Sequence, residues 1–444
     1  MKTIPLNSLV VLVGPSGSGK STLCEKHFPK YEIISSDAIR EELVGEPNRQ
    51  DISSQAFEEV RRRAEQKLAL GERAVIDSTN IKRQDRMTTA QIGINLGVPV
   101  VYLVWNRPLE EKKKTAGWRH GVIVRGKSLI EAHDATFVSN EKDILNGDGL
   151  PVTVIDARTE EFTVSDKPDY KDLLGWIRKG NYTGLAVVGD VHNMSDKLLE
   201  AIDYAEKNNL FMVFLGDIID YGPDPVGCVD MIFDLVLGGR ALMIHGNHEK
   251  KYWKVIQQLR QCEEEGIARS EDNIHVHFTF GTRDTFDAVE CLERDKRVEW
   301  ERKFETLFTV SRHHIRIGNI TFVHGAFHPD MLDRMDQHRL MGRLGEMAMF
   351  GQTDGTFVFS EKFGREVPNR TYKWTDTVPA HQIVMVGHDY SRTSPEGKPD
   401  IVTNERGGKT MFVDTGCGKD GPLSLVVVPF TGNNLLKWSE IITI

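Results

Sequence analysis

The chain is poor in cysteine, in long apolar runs and in net positive charge. Its 444 residues include only five cysteines, which are far apart and form no CxxC pair. This pattern excludes a disulfide framework and a zinc knuckle and favours a reducing cytoplasm. No apolar run approaches the length of a membrane helix, and the run Leu9 to Val13 is too short for a signal peptide. The net charge of −9 excludes a generally basic nucleic-acid coat but leaves a local basic groove open.

Two series of short apolar runs alternate with charged, helix-periodic stretches, which is typical of α/β domains with largely parallel sheets. The first series ends near Asp156, and the second begins at Gly184. We predict one domain over residues 1–160, a linker over 161–182 and a second domain over 183–444. The segment 328–380 carries no motif. We expect a soluble cytoplasmic protein without a membrane partner.

A glycine-rich motif directly follows the first strand-like run. Residues 14–22 read GPSGSGKST and fit the P-loop pattern GxxxxGK[ST]. In such a loop, backbone N–H groups bind phosphate oxygens, the lysine reaches the β- and γ-phosphates, and the first hydroxyl coordinates Mg²⁺. The motif therefore predicts a site for ATP and Mg²⁺, with Ser21 as the magnesium ligand. The predicted ATP-binding residues of the loop are Gly14, Ser16, Gly17, Ser18, Gly19, Lys20, Ser21 and Thr22.

Two further motifs indicate what receives the phosphate. The second strand leads into SDAIR, in which Asp37 can accept the proton of an attacking hydroxyl and Arg40 can hold an acceptor phosphate. Taken alone, Asp37 is better explained as a helix cap and Arg40 as a solvated surface residue. The third strand leads into DSTN, which ends at Asn80 and is followed by Arg86.

Together these motifs resemble the 5′-hydroxyl polynucleotide kinase module of bacterial and phage RNA end-healing enzymes. The resemblance implies that Lys20, Asp37 and Arg40 are catalytic, with Asp37 as the general base and Arg40 bound to the nucleotide's 3′-phosphate. It also implies that Asn80 and Arg86 line the nucleic-acid site. The family's lid arginines, which clamp the ATP phosphates, would be Arg119 and Arg125.

In the second strand series, five predicted strands each end in Asp, Asn or His beside a glycine. The motifs at these ends are GDVH, GD, GNHE, VHG and GH. Two divalent metals need a bridging carboxylate, further oxygen ligands and neutral imidazoles on rigid strand ends. The order resembles calcineurin-like metallophosphoesterases, which implies an αββα sandwich and two divalent metals, with Mn²⁺ the expected ion. It also implies that His248 is the general acid. The implied metal ligands are Asp190, His192, Asp217 (bridging), Asn247, His324 and His388.

This second half departs from protein phosphatases at two positions. Asn193 and Tyr221 stand where those enzymes have a glycine and an arginine that grips substrate phosphate. We therefore expect a different phosphate grip, which counts against protein-phosphatase activity. Asp414, in the motif VDTGC, is expected to orient a ligand rather than to bind metal.

A 5′-kinase fused to a metallophosphoesterase resembles the bacterial polynucleotide kinase-phosphatases, which imply phosphorylation of 5′-hydroxyl ends and removal of 3′-phosphates or 2′,3′-cyclic phosphates. The implied partners are RNA ends, with DNA left open, and a separate ligase, because no KxDG motif is present. Homo-oligomer formation stays open. Three alternatives also stay open: a small-molecule or nucleoside kinase, a dinucleoside-polyphosphate or protein phosphatase, and a catalytically inactive RNA-binding domain.

Overall fold

The computed structural model describes residues 2–45, 52–69, 71–114, 122–124, 126–165, 168–335, 337–360, 365–394, 397–431 and 435–444. The chain forms two compact units. Unit 1 is Met1–Lys167 with Leu237–Gly239, and unit 2 is Pro168–Val236 with Arg240–Ile444.

Unit 1 is a parallel α/β domain. Its strands are β1 (Lys2–Ile4), β2 (Leu9–Val13), β3 (Ile33–Ser35), β4 (Ala74–Asp77), β5 (Val100–Val104), β6 (Ile123–Val124), β7 (Lys127–Ser128), β8 (Thr153–Asp156) and β9 (Phe162–Val164). Its helices are α1 (Lys20–His27), α2 (Ser36–Val44), α3 (Ser53–Ala69), α4 (Arg83–Asn95), α5 (Leu109–Lys114) and α6 (Leu129–Leu145).

The central sheet of unit 1 has five parallel strands in the order β3-β4-β2-β5-β8. Strand β2 is buried throughout: Leu9 and Val11 belong to one apolar core cluster, and Val10 and Leu12 belong to another. A strand covered on both faces explains its unbroken apolar sequence. Because neighbouring strands are parallel, the residues that follow β2, β3, β4 and β5 lie at one edge of the sheet.

Unit 2 contains two five-stranded sheets, in the orders β12-β11-β10-β20-β21 and β13-β14-β17-β19-β18. Its strands are β10 (Gly184–Val188), β11 (Leu210–Phe214), β12 (Ala241–Met243), β13 (His314–Ile317), β14 (Ile320–Val323), β15 (Thr353–Ser360), β16 (Arg365–Arg370), β17 (Ile383–Val386), β18 (Asp400–Thr403), β19 (Lys409–Phe412), β20 (Ser424–Pro429) and β21 (Glu440–Thr443). Its helices are α7 (Leu173–Lys179), α8 (Ser195–Lys207), α9 (Pro225–Leu237), α10 (Asn247–Glu264), α11 (Phe280–Glu290), α12 (Arg294–Val310) and α13 (Gly342–Phe350).

The two sheets of unit 2 share one core. Val187 and Val213 of the first sheet belong to the same buried cluster as Phe322 and Met385 of the second. Strands β10, β11 and β12 are parallel to one another, and so are β14, β17 and β19. The predicted architecture, a parallel-sheet domain followed by a domain with two packed sheets, is confirmed.

The linker predicted over residues 161–182 is not a plain linker in the structure. Strand β9 pairs with β1 in unit 1, and Leu173 and Ile177 of α7 are buried in the core of unit 2. Short apolar elements at a domain boundary are hard to recognise because three to seven residues carry little periodicity. In the described part of the chain, no helix is long and apolar enough to cross a membrane.

Candidate active sites

The P-loop of unit 1 borders a cavity of about 500 Å³ at the carboxyl edge of the sheet. It is lined by residues of the P-loop, of α2 and of the segment after β4. The residues lining the cavity are Ser16, Gly17, Gly19, Lys20, Ser21, Thr22, Ser35, Ser36, Asp37, Arg40, Phe57, Asp77, Ser78, Thr79, Ile81, Lys82, Asp85, Arg107, Leu129 and His133.

The loop itself is held by side chains from elsewhere in unit 1. Trp105 Nε1 donates a 2.9 Å hydrogen bond to Ser18 O, and Arg107 Nε donates one of 3.0 Å to Gly17 O. Gly17 and Gly19 have φ of 76° and 93°, a left-handed conformation that glycine adopts without strain. Lys20 is buried, and its Nζ donates to Pro15 O at 3.0 Å. The loop is therefore fixed in shape before any phosphate binds.

One carboxylate lies beside the predicted magnesium ligand. Asp77, the last residue of β4, accepts a 2.7 Å hydrogen bond from Ser21 Oγ. Hydroxyl and carboxylate oxygens suit Mg²⁺, which prefers hard oxygen ligands and retains several waters. Ser21 and Asp77 therefore fit the ion that the P-loop implies. Asp77 was missing from the predicted metal ligands, although its position at a strand end next to β2 is the signal that identifies it.

The structure brings the predicted acceptor pair to the same cavity. Asp37 and Arg40 both line it, and they form an ion pair across one turn of α2. The side chain of Asp37 is 39% exposed, whereas that of Arg40 is 6% exposed. Asp37 is not the cap of its helix, because Ser35 takes that place and accepts a hydrogen bond from Ala38 N. A carboxylate and a guanidinium thus face the same open space as Lys20.

Two residues predicted to contact nucleic acid are placed differently. Arg86 is fully buried; it forms two hydrogen bonds of 2.7 and 2.8 Å with Asp148 and donates to Asn80 O and Ile81 O. Asn80 is also buried, and its Nδ2 donates to Leu12 O at 2.8 Å. Neither residue is among those that line the cavity. The arrangement gives both a role in holding the loop after β4, which corrects the predicted acceptor contacts.

The lid residues were predicted on the segment that follows β5. Arg119 and Arg125 lie outside the described residues. Within the described part, Lys112 is buried against Asp134 and donates to Asn106 Oδ1 at 2.9 Å. Arg107 and His133, whose Nδ1 lies 2.8 Å from Ser16 Oγ, are cavity residues that the sequence reasoning missed.

In unit 2, the predicted metal ligands converge into one cluster. Ligand atoms of Asp190, His192 and Asp217 lie within 4.8 Å of one another, and so do those of Asp217, His324 and His388. Asp217 is thus shared by two groups of three. Asn247 joins the second group, because its Oδ1 lies 3.0 Å from His324 Nε2. Two carboxylates, an amide oxygen and three imidazoles are a donor set that fits two divalent ions with Asp217 between them.

The backbone at these strand ends is unusual. His192, Asp217 and His388 have φ of 50°, 49° and 71°, which non-glycine residues seldom adopt. Glycines beside the ligands allow close approach: a Cβ on Gly387 would lie 2.3 Å from Asp190 Oδ1, and one on Gly246 would lie 2.2 Å from Asp217 Oδ1. Backbone strain of this kind costs about 1–3 kcal/mol per residue and persists where the surroundings enforce it.

Backbone carbonyls orient two of the histidines. His192 Nδ1 donates to Ile219 O at 2.9 Å, and His324 Nδ1 donates to Leu215 O at 2.7 Å. Each ring therefore presents Nε2 to the cluster, as metal-binding histidines commonly do. Burial holds the pKa of His192 down at about 3, so its ring is neutral. Glu249 fixes the backbone around Asp217 by accepting hydrogen bonds from Asp217 N and Ile218 N at 2.9 and 2.8 Å.

The carboxylates of the cluster repel one another. Burial raises the pKa of Asp190 well above its usual range, and the nearby Asp414 and Asp217 raise it further. Burial also raises the pKa of Asp414. Crowded buried carboxylates are stabilised by cations, so this observation supports the fit of divalent ions to the donor set. Asp414 accepts a hydrogen bond from Gly416 N at 2.9 Å and lies beside the predicted ligands.

His248 stands next to the cluster with its own carboxylate partner. Its Nδ1 lies 2.6 Å from Asp220 Oδ2, and its Nε2 lies 3.7 Å from Asp217 Oδ2. Asp220 is buried and is held by Thr282 and Thr285, which donate to its two oxygens at 3.2 and 2.9 Å. Burial lowers the pKa of His248, but Asp217 and Asp220 outweigh it and raise that pKa to about 9. The ring is thus held beside the cluster with Nε2 turned towards Asp217, which is the position that a proton donor requires.

Two cations approach the cluster from residues that the sequence reasoning did not single out. Arg370 Nη2 lies 2.8 Å from His388 Nε2, and Arg370 Nη1 lies 3.3 Å from Asp389 Oδ2. Lys419 Nζ lies 4.4 Å from the ring centroid of Tyr221, the residue found where protein phosphatases have arginine. Arg370 belongs to the segment 328–380, in which no motif marks it.

Two stretches of the chain match described protein families. Residues 9–121 match the family described as AAA domain. Residues 184–392 match the family described as calcineurin-like phosphoesterase. The chain thus joins a P-loop domain to a calcineurin-like metallophosphoesterase domain.

Curated relatives and solved structures are similar to part of the chain. The asymmetrical bis(5′-nucleosyl)-tetraphosphatase PrpE of Oceanobacillus iheyensis is 24% identical over 243 residues, covering 52% of this chain and 83% of that protein. The protein of the same name from Halalkalibacterium halodurans is 22% identical over 259 residues, covering 55% of this chain and 89% of that protein. A solved metallophosphoesterase from Sphaerobacter thermophilus is 16% identical, with a TM-score of 0.32, and covers 59% of this chain and 87% of that chain.

Proposed function

We propose that the chain is a nucleotide-processing enzyme with two active sites, a metal-dependent phosphoesterase in unit 2 and an ATP-dependent phosphotransferase in unit 1. The observation that carries the first activity is the sharing of Asp217 between two groups of metal-ligating side chains. Bound there, two divalent ions would supply a Lewis acid and a nucleophile at neutral pH. The ligands proposed for them are Asp190, His192, Asp217, Asn247, His324 and His388.

The residues around the metal ligands supply a proton to the leaving group and hold the ligands in place. His248 donates a proton to the leaving oxygen, and Asp220 holds its ring in the required orientation through Nδ1. Glu249 fixes the peptide groups around Asp217, and the carbonyls of Leu215 and Ile219 fix the imidazoles of His324 and His192. Proton transfer of this kind contributes about 10²–10⁴-fold to a rate.

The first substrates to test are dinucleoside tetraphosphates. The curated relatives described above are asymmetrical bis(5′-nucleosyl)-tetraphosphatases by name. Tyr221 in the place of the phosphate-gripping arginine supports this choice over phosphoproteins. In such a substrate the phosphate chain would meet the metal cluster and a nucleoside would extend from each end.

Unit 1 transfers a phosphoryl group from ATP to a hydroxyl. Lys20 and the P-loop backbone bind the phosphates, Ser21 and Asp77 would hold Mg²⁺, and Asp37 accepts the proton of the attacking hydroxyl. Arg40, in contact with Asp37, binds a phosphate of the acceptor. Two classes of molecule could offer the hydroxyl that accepts the phosphoryl group. One is a nucleoside or another small molecule, and the other is the end of a polynucleotide.

A second candidate function is the healing of broken RNA ends, with 5′ phosphorylation by unit 1 and removal of 3′-phosphate or 2′,3′-cyclic phosphate by unit 2. The observation in its favour is that Asp37 and Arg40 line the same cavity as Lys20, as the polynucleotide kinase resemblance implies. A separate ligase would then seal the healed ends.

One experiment separates the two candidates. The purified chain is incubated in a mixture that contains Mn²⁺, Mg²⁺ and ATP. Three substrates are tested in this mixture in parallel: diadenosine tetraphosphate, adenosine, and an RNA with 5′-hydroxyl and 2′,3′-cyclic phosphate ends. Hydrolysis of the tetraphosphate without change of either RNA end supports the first function. Conversion of both RNA ends supports end healing. Inactivity of the metal-loaded chain on both phosphoester substrates would refute the proposed phosphoesterase.

A further inference from the structure

The replacement of arginine by Tyr221 raises the question of which cation receives the substrate phosphate in unit 2. The Tyr221 ring packs edge-on against His192 and His248, with centroid distances of 5.0 and 5.5 Å. Arg370 is placed to take over the role of the missing arginine: it lies within hydrogen-bonding distance of His388 and is 38% exposed. A guanidinium offers a fork of donors that matches phosphate.

Arg370 is the last residue of β16, and β16 forms a two-stranded hairpin with β15. Thr353 pairs with Arg370, and Asn369 Nδ2 donates to Asp354 Oδ2 at 2.7 Å. Thr371 N also donates to Gln352 O at 2.8 Å. The base of the hairpin is therefore fixed beside the metal cluster, with Arg370 pointing at one of its histidines.

Glu366, Pro368 and Arg370 alternate along β16 and share one face of that strand, while β15 contains a shift in register between Thr353 and Phe357. Phe357 pairs with Pro368, and Phe359 pairs with Glu366. Residues two apart on a strand share a face, as do directly paired residues. At about 3.3 Å per residue, Pro368 and Glu366, the partners of Phe357 and Phe359, lie roughly 7 Å and 13 Å from Arg370 along β16. The face thus runs from a cation at the metal cluster to two aromatic rings.

Both rings are open to solvent. The side chains of Phe357 and Phe359 are 63% and 66% exposed, unlike the core phenylalanines of unit 2. Aromatic side chains spaced by about 7 Å on one strand face suit stacking against nucleobases, and each stacked base contributes measurably to affinity. Glu366 opposite Phe359 places negative charge at the far end of the face, so the phosphate end of a ligand belongs at Arg370.

We propose that the hairpin Thr353–Ser360 and Arg365–Arg370 is the nucleoside-binding arm of the phosphoesterase site. Arg370 binds the phosphate that enters the metal cluster, and Phe357 and Phe359 stack against the base of the same nucleotide. The proposal rests on the proposed phosphoesterase function and specifies its substrate class: phosphorylated nucleosides, whether from a dinucleoside polyphosphate or from an RNA end.

The test compares three variants in the full chain loaded with Mn²⁺. F357S/F359S removes both rings from an exposed face, and R370Q removes the cation. V358S alters the exposed side chain between the two phenylalanines, on the opposite face, and serves as the matched control. Substrates are diadenosine tetraphosphate, the 3′-phosphorylated RNA and glycerol 2-phosphate, and equilibrium binding of AMP and of inorganic phosphate is measured by calorimetry.

We expect F357S/F359S to raise KM for the nucleotide substrates and to weaken AMP binding roughly 10-fold or more, with glycerol 2-phosphate and inorganic phosphate unaffected. We expect R370Q to weaken AMP and inorganic phosphate alike. The two nucleotide arms identify the source of the nucleoside. Unchanged AMP binding in F357S/F359S overturns the proposal, and so does an equal loss of AMP affinity in V358S. A change of F357S/F359S in oligomeric state alone also overturns it. Inactivity of the unmutated chain on every phosphoester would refute the proposed function itself.

Discussion

His248 has the clearest chemical assignment of any single residue. Its contact with Asp220 orients the ring, and its Nε2 faces the bridging carboxylate of Asp217. We predict that H248Q lowers kcat of the phosphoesterase by about 10²–10⁴-fold while the chain still binds two metal ions. Steady-state kinetics and metal analysis by mass spectrometry check this. H275Q, at an exposed histidine far from any motif, is the control. Full activity of H248Q would exclude its role as proton donor.

Asp37 offers the corresponding test in unit 1. We predict that D37N lowers phosphoryl transfer from ATP to a hydroxyl acceptor at least about 100-fold, because an amide cannot accept the proton. D85N is the matched control, since Asp85 is an exposed carboxylate that lines the same cavity. The measurement is single-turnover transfer of labelled phosphate. Equal losses in both variants would indicate a general charge effect rather than a base at Asp37.

Arg86 gives a prediction about stability. Its buried pair with Asp148 loses one partner in R86A, and an uncompensated buried carboxylate costs about 3–5 kcal/mol. We expect a marked fall in the melting temperature of unit 1 by calorimetry. R83A is the control, because Arg83 is exposed and lies 3.6 Å from the same carboxylate. An R86A protein with normal stability and lost acceptor binding would restore the acceptor role first predicted for Arg86.

Among the structural elements, the turns that follow the strands determine the metal cluster. A Cβ on Gly387 would lie 2.3 Å from Asp190 Oδ1, so G387A must displace either the ligand or the strand end. We predict that G387A lowers metal occupancy and raises the Mn²⁺ concentration needed for half-maximal hydrolysis by tenfold or more, since a shift of about 1.4 kcal/mol in binding is tenfold. Titration followed by calorimetry checks this. Unchanged Mn²⁺ affinity would mean that the turn relaxes freely.

Much of this arrangement could be predicted from the sequence at the scale of elements. Apolar runs that end in GD, GN or GH mark strands whose carboxyl ends meet at one sheet edge, and the structure brings Asp190, Asp217 and His388 together. The position of the P-loop could be predicted in the same way, because such a loop lies between a strand and a helix, here β2 and α1. The order of the motifs along the chain was sufficient to predict which side chains meet, because the carboxyl ends of parallel strands lie at one edge of the sheet.

The rest could not be predicted, for physical reasons visible at particular residues. Arg86 was expected to line the nucleic-acid site, but a buried carboxylate from a distant turn pairs with it. Arg370 reaches the metal cluster through the register of a hairpin, which depends on pairing rather than on motif. Asp220, which orients His248, is held by two threonines of α11, and no local sequence pattern connects it to them.

At the scale of the whole molecule, each unit has a core and a candidate active site of its own. We predict that K20A abolishes transfer from ATP and leaves phosphoester hydrolysis unchanged, and that D217N does the reverse. Both activities are measured on the same preparations of each variant. Loss of both activities in either variant, with folding intact by circular dichroism, would contradict the assignment of one activity to each unit.

The crowding of Asp190, Asp217 and Asp414 has a consequence for the lifetime of the protein in a cell. An ion that binds only the folded form adds about 2.7 kcal/mol of stability when its concentration is 100 times its dissociation constant. Opening of unit 2 would therefore become more frequent as the supply of divalent ions falls, and opened chains are the ones that proteases cleave. Metal starvation would thus reduce the abundance of this protein as well as its turnover.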